Sequence, residues 1–204
     1  MHAWRDTPAR EAGITVIDFE TTGSVPGWPV EPWQVGLAAL RGGRVDAASL
    51  LRRWLRIAPD RPFNPHAPGR HQQVRDVLAG AATFPEVWDE IAAERLLGRP
   101  LAAHNVGTER TLLRRAAPLH RLGPWIDTLA LARRAYPGLA DHSLDAVIEV
   151  LGLEARVRDV CPQGGPHDAG YDACACAVLL EHLLALPAWQ GVTLAALAGA
   201  RPFG

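Results

Sequence analysis

The chain has 204 residues, enough for one sizeable domain and no large second one, and its 48% hydrophobic and 21% charged content excludes a disordered or fibrous protein. No apolar run approaches the ~20 residues of a membrane span, and the lead MHAWRDTPAREAG lacks the apolar stretch of a secretory signal. A soluble, cytoplasmic protein with no membrane partner is expected. A formal charge of −1, with all 21 basic residues arginine, leaves any contact with nucleic acid to a local surface.

After the polar lead, GITVID is a short apolar run rich in β-branched residues and reads as a buried central strand. WQVGLAAL and VDAASLLRRWLRI, separated by RGGR, predict two further strands joined by a glycine turn, so the first three strands form an antiparallel meander. Residues 58–70 carry four prolines and no period, which reads as a surface crossing. FPEVWDEIAAERLL predicts an amphipathic helix, PLAAHN a strand, and TERTLLRRAA a helix. IDTLALARRAYPGL repeats the pattern, with a strand ending at Asp127 and a helix stopped by Pro137; HSLDAVIEVLGL is a helix ending at Gly152, and HDAGYDACACAVLLEHLLAL a long one with a core-facing side. Strands first, then strand and helix in alternation, indicate an α/β domain with a mixed sheet.

Cys161, Cys174 and Cys176 are odd in number, and the pair two apart would point about 200° apart on a helix, so they are expected to be small buried residues and not a metal clamp.

The chemistry begins at DFETTG. Asp18 and Glu20 lie two apart at a strand end, so alternation puts both carboxylates on one face. At ~5 Å their repulsion is on the order of 3 kcal/mol, to be offset by protonation or by a cation, and hard oxygen ligands favour magnesium or manganese. An isolated D-x-E can also merely close a strand at the surface. Glu109 opens the helix after PLAAHN, near a second strand end where ligand sites gather, although a first-turn acid also complements a helix dipole. His167 precedes Asp172 by five positions at the start of the last long helix, a junction that suits a mobile base beside a fixed ligand.

Together these segments resemble the DnaQ-like DEDDh exonucleases, which include polymerase proofreading subunits and RNase T. VIDFETTG resembles the family's first motif, AHNVGTERTLL its second and PHDAGYDACACAVLL its third, with likeness running from about Gly13 to Leu186. A sister subfamily places tyrosine four residues before the last aspartate, where this chain has Asp168, so the histidine type is the better match. One departure is Glu109, where the family usually has aspartate; the extra methylene is either tolerated or weakens the second metal site.

The resemblance implies a single RNase H-like exonuclease domain with a core of about 13–186 and a short extension, 187–204, around a mixed five-stranded sheet with helices on both faces. It implies two Mg2+ or Mn2+ ions: Asp18 bridging both, Glu20 and Asp172 holding the first, Glu109 supporting the second, and His167 deprotonating water. Phe19, Thr21, Thr22, Gly23 and Asn105 are the implied substrate contacts, although Thr21, Thr22 and Gly23 also suit a plain strand-to-turn exit and Asn105 also suits a brace for the second motif; a single-stranded 3′ end is the implied partner, and a polymerase subunit a further one. The motifs leave open DNA, RNA or dinucleotides as substrate, and also a catalytically weak binding module. His104 is expected to be structural and Trp33 to pack in the core or a lid. Trp28 is the better candidate to stack on a base, and Arg110, Arg114 and Arg115 either meet phosphate or form a solvated face.

Overall fold

The structure, a computed structural model, describes residues 4–67 and 74–199. The meander is present as β1 (Ile14–Thr21), β2 (Pro32–Arg41) and β3 (Arg44–Trp54). Gly42 and Gly43 both take positive φ, 58° and 72°, which is what a two-residue turn needs to match the strands' twist. Then follow α1 (Arg75–Ala79), α2 (Phe84–Ile91), β4 (Leu101–Ala103), α3 (Gly107–Ala116), β5 (Trp125–Asp127), α4 (Thr128–Ala135), α5 (Leu144–Val150), α6 (Glu154–Val160), α7 (Ala169–Ala185) and α8 (Leu194–Ala198). The sheet order is β3-β2-β1-β4-β5, antiparallel within the meander and parallel across β1, β4 and β5.

β1 is central, and burial on both faces explains its continuous apolar run. Ile14 and Val16 pack into a core with Val178, Leu179 and Leu183 of α7, while Ile17 and Phe19 join Val87 and Ile91 of α2 and Leu112 and Leu113 of α3 on the other face. Helix α7 is apolar nearly all round because α4, α5 and α6 cover the side turned away from the sheet. Cys161, Cys174 and Cys176 are free and buried in this layer, and burial pushes the Cys174 thiol up to about 12.

Three features differ from the sequence reading. The predicted helix over FPEVWDEIAAERLL changes after Ile91 to a π-helical turn, Ala92–Leu96, closed by Leu97 N–H donating to Ala92 O at 2.9 Å. The extra residue keeps both Ile91 and Leu96 in the core and turns the Arg95 carbonyl to accept from Thr15 Oγ1. Helices α1, α6 and α8, of 5, 7 and 5 residues, are too short to carry a period. The stretch beginning at residue 58 does not simply cross the surface, since Arg61 is only 1% exposed; residues 68–70 of it lie outside the described residues. Within the extension, Leu194 and Leu197 pack into the α7 core and Leu194 N–H donates to Thr7 O; residues 200–204 are outside the described set.

Candidate active site

Glu20 and Asp18 share the β1 face of Ile14 and Val16, which is the α7 side. Gly36 of β2 stands opposite Asp18 in register, and a Cβ there would fall 1.8 Å from the Ala169 carbonyl oxygen. Glycine at this one point lets the start of α7 lie directly on the sheet, so that Asp172, one turn in, arrives beside the first-motif pair. On the other flank β4 runs parallel to β1, and α3 leaves its end with Glu109 in the first turn.

These elements enclose a cleft of about 470 Å³ lined by Asp18, Glu20, Glu109, His167 and Asp172, together with Phe19, Thr21, Gly23 and Asn105. Ligand atoms of Glu20, His167 and Asp172 all lie within 4.8 Å of one another. His167 takes φ +64°, unusual for a residue with a Cβ, and its N–H donates to Asp172 Oδ2 at 3.0 Å, which fixes that carboxylate.

Crowded, desolvated acids resist ionisation. Burial first, then the charges of Asp172, Glu109 and Glu20, hold Asp18 well above the usual carboxylate range. Burial raises Glu20 and Glu109 to about 7, and burial with the charge of Glu20 raises Asp172 to about 8. Two buried oxygens, Glu109 Oε2 and Asp172 Oδ1, have no hydrogen-bond partner among the described residues. Oxygen donors with unsatisfied lone pairs, in a field that penalises their own charge, fit hard divalent cations.

Thr22 is not brought to the cleft. A register shift between Glu20 and Thr21 breaks the alternation, leaving Thr22 fully buried with its hydroxyl accepting from Glu31 N–H at 3.1 Å. Asn105 lies at the cleft in a left-handed turn, φ 72°, with its backbone N–H on Asp127 Oδ1 at 3.0 Å. His104 also lines the cleft, with its ring nitrogens meeting Thr128 Oγ1 at 3.0 Å and His142 O at 2.8 Å. Trp33 is buried and stacks on Trp54, while Trp28 is 46% exposed with the Arg61 guanidinium 4.9 Å from its ring. Arg115 donates to Val30 O at 3.0 Å, so it braces the loop before β2; Arg110 and Arg114 are exposed.

The sequence reading missed Asn64, His66 and Thr108, which also line the cleft. The first two come from the loop after β3, tied back by Asn64 N–H to Thr22 O at 2.8 Å and by its Nδ2 to Ser24 O at 3.0 Å. Gly23, at φ +67° with no room for a Cβ against Asn64 and Ala67, is the one sequence signal of that close approach.

An acidic cleft at the strand ends of a mixed five-stranded sheet, with helices on both faces, defines an RNase H-like nuclease. Residues 15–180 match the RNase_T model, described as exonuclease, and the chain belongs to that exonuclease family. It is 29% identical over 187 residues to exodeoxyribonuclease 10 of Escherichia coli, covering 91% of this chain and 75% of that protein. It is 28% identical over 196 residues to the DNA polymerase III subunit epsilon-like protein of Rhodobacter capsulatus, covering 94% of this chain but only 26% of that one. Exonuclease X, solved in complex with 5′ overhanging duplex DNA, superposes with a TM-score of 0.67 at 25% identity over 91% of this chain and 99% of that chain.

Proposed function

We propose that the protein is a single-domain, cytoplasmic 3′-to-5′ exonuclease that releases 5′-mononucleotides from single-stranded DNA ends. The observation that carries the reading is the convergence of Asp18, Glu20, Glu109 and Asp172 with His167 on one cleft, two of whose buried oxygens lack partners among the described residues. Likeness to exodeoxyribonuclease 10 supports DNA as the substrate, and likeness to the epsilon-like protein supports a polymerase subunit as a partner.

Two Mg2+ or Mn2+ ions held by Asp18, Glu20, Glu109 and Asp172 would neutralise the scissile phosphate and the departing 3′ oxygen. The chain's own residues do the rest. His167, exposed at the cleft mouth, takes a proton from the water whose oxygen attacks phosphorus in line. The bond to the 3′ oxygen breaks, leaving a 5′-mononucleotide and a shortened strand. Thr21 and Gly23, beside Phe19 at the end of β1, meet the terminal nucleotide through hydroxyl and backbone donors, and Asn105 faces its phosphate from the second motif. Glu109, longer by one methylene than the family's aspartate, fills its place from the first turn of α3.

The test is digestion of 5′-labelled single-stranded DNA, RNA and dinucleotides with Mg2+ or Mn2+. A DNA ladder shortening from the unlabelled end is expected. Faster loss of RNA or dinucleotides would change the substrate, and no metal-dependent cleavage of any strand, with recovery in Glu109→Asp, would make the chain a silent binding module.

A further inference from the structure

The start of α7 is fastened by side chains that do not enter the cleft. Asp168, between His167 and the helix, caps it: Oδ1 accepts from Gly170 N–H at 3.1 Å and Tyr171 N–H at 3.2 Å. That alone would suffice for a helix start, and a serine would provide it. The other oxygen does something additional. Oδ2 accepts from Arg52 Nη1 of β3 at 2.8 Å and from Gln34 Nε2 of β2 at 3.1 Å. Gln34, fully buried and paired in register with Glu20, uses its Oε1 to accept the Ala169 N–H at 2.8 Å.

The turn that carries His167 is therefore tied to two strands, to β2 at the position paired with Glu20 and to β3 at the position paired with Gly36, which itself faces Asp18. We propose that Arg52, Gln34 and Asp168 are positioning residues for the base of the exonuclease reaction, holding the His167 turn so that its imidazole stays against Glu20 and Asp172. The proposal rests on the exonuclease reading of the cleft. Three observations favour positioning over simple capping. His167 sits at φ +64°, a conformation that persists only where the surroundings over-determine it. Close packing leaves the turn little freedom, since a Cβ on Gly36 would overlap the Ala169 carbonyl and one on Gly170 would lie 3.1 Å from Arg52 Cβ. Asp168 is also a fifth carboxylate beside the four of the cleft, and both its oxygens are engaged outside it, Oδ1 by the Gly170 and Tyr171 N–H groups and Oδ2 by Arg52 and Gln34. The guanidinium of Arg52 is its counter-charge and keeps it turned from the cleft, where it would compete as a ligand.

Arg52→Ala removes the ion pair, Asp168→Ser keeps the cap and removes the tether, and Arg52→Lys restores one charged donor, all that Arg52 uses here. For each, kcat and KM on a 5′-labelled single-stranded oligonucleotide, thermal stability, and the imidazole NMR signals of His167 in the metal-free protein are measured. Arg52→Ala and Asp168→Ser are expected to lower kcat about 10- to 100-fold with little change in KM, while the His167 signals shift or broaden. Arg52→Lys should recover most of the loss. Unchanged kcat in both variants of an active protein, or a fall that only tracks the folded fraction, overturns the proposal. An inactive parent protein would sink the exonuclease reading by itself; the His167 signals then decide, and their constancy in both variants also overturns the proposal.

Discussion

Asp18 experiences more neighbouring negative charge than any other carboxylate described in the cleft, with Asp172, Glu109, Glu20 and Asp168 all raising its pKa. Removing it relieves repulsion, so Asp18→Ala is expected to abolish hydrolysis while the melting temperature holds or rises; a variant that unfolds would show a structural role. His167→Ala should lower kcat by ~100- to 10,000-fold, and full activity at neutral pH would remove histidine as the base. At this scale the sequence was most informative where alternation holds, because strand parity sets the common face of Asp18 and Glu20. It failed at Thr22, where the register shift cancels parity one residue further on. It failed also at Asn64 and His66, whose place in the cleft depends on a hydrogen bond spanning 42 residues, from Asn64 to Thr22, that no local pattern records. The surface reading of residues 58–70 does not hold at Arg61 for a different reason: proline spacing carries no sign of burial, yet its guanidinium is held by Thr22 Oγ1, the Pro29 carbonyl and the face of Trp28.

Among the elements, α7 and β2 decide whether a site exists. Gly36→Ala forces a methyl onto the Ala169 backbone, where no flexible side chain can yield, and is expected to cost about 3 kcal/mol or more of unfolding free energy in denaturant titrations. A cost under ~1 kcal/mol would mean that α7 lifts off easily. Helix α2 gives a milder case: Thr83 accepts from Glu86 N–H and the Glu86 carboxylate accepts from Thr83 N–H, so Thr83→Ala should cost about 1 kcal/mol in the same measurement. The meander, the two strand-helix repeats and the long helix α7 were all legible because each carries a period or a turn signal. The π-helical turn after Ile91 was not, since the apolar spacing of that segment suits a plain helix and only the Thr15 hydroxyl on the Arg95 carbonyl shows what the extra residue serves. Short α1, α6 and α8 owe their existence to packing, with Leu78, Val157 and Leu197 as buried anchors.

Across the whole molecule, the cleft sets a pH dependence. In the metal-free protein Glu20 and Glu109 sit at about 7 against an ordinary 4.5, and Asp172 at about 8 against 3.8. The folded state thus binds more protons than the unfolded chain between those limits, so the contribution of these groups to stability is fully present below about pH 4 and is lost as pH rises through 7 to 8. A fall in melting temperature of about 5 °C or more from pH 5 to pH 8 is expected without metal. Mn2+ should reverse it at pH 8 and do little at pH 5, where protons occupy the ligands. A flat or rising metal-free profile would contradict that electrostatic picture.

The most direct measurement is the anomalous scattering of a crystal grown with Mn2+ and a 5′-mononucleotide. Two manganese peaks among Asp18, Glu20, Glu109 and Asp172, with the nucleotide phosphate between them and His167, are expected. A cleft with no manganese, or ions bound only elsewhere on the protein, would contradict the assignment of these carboxylates as a paired cation site.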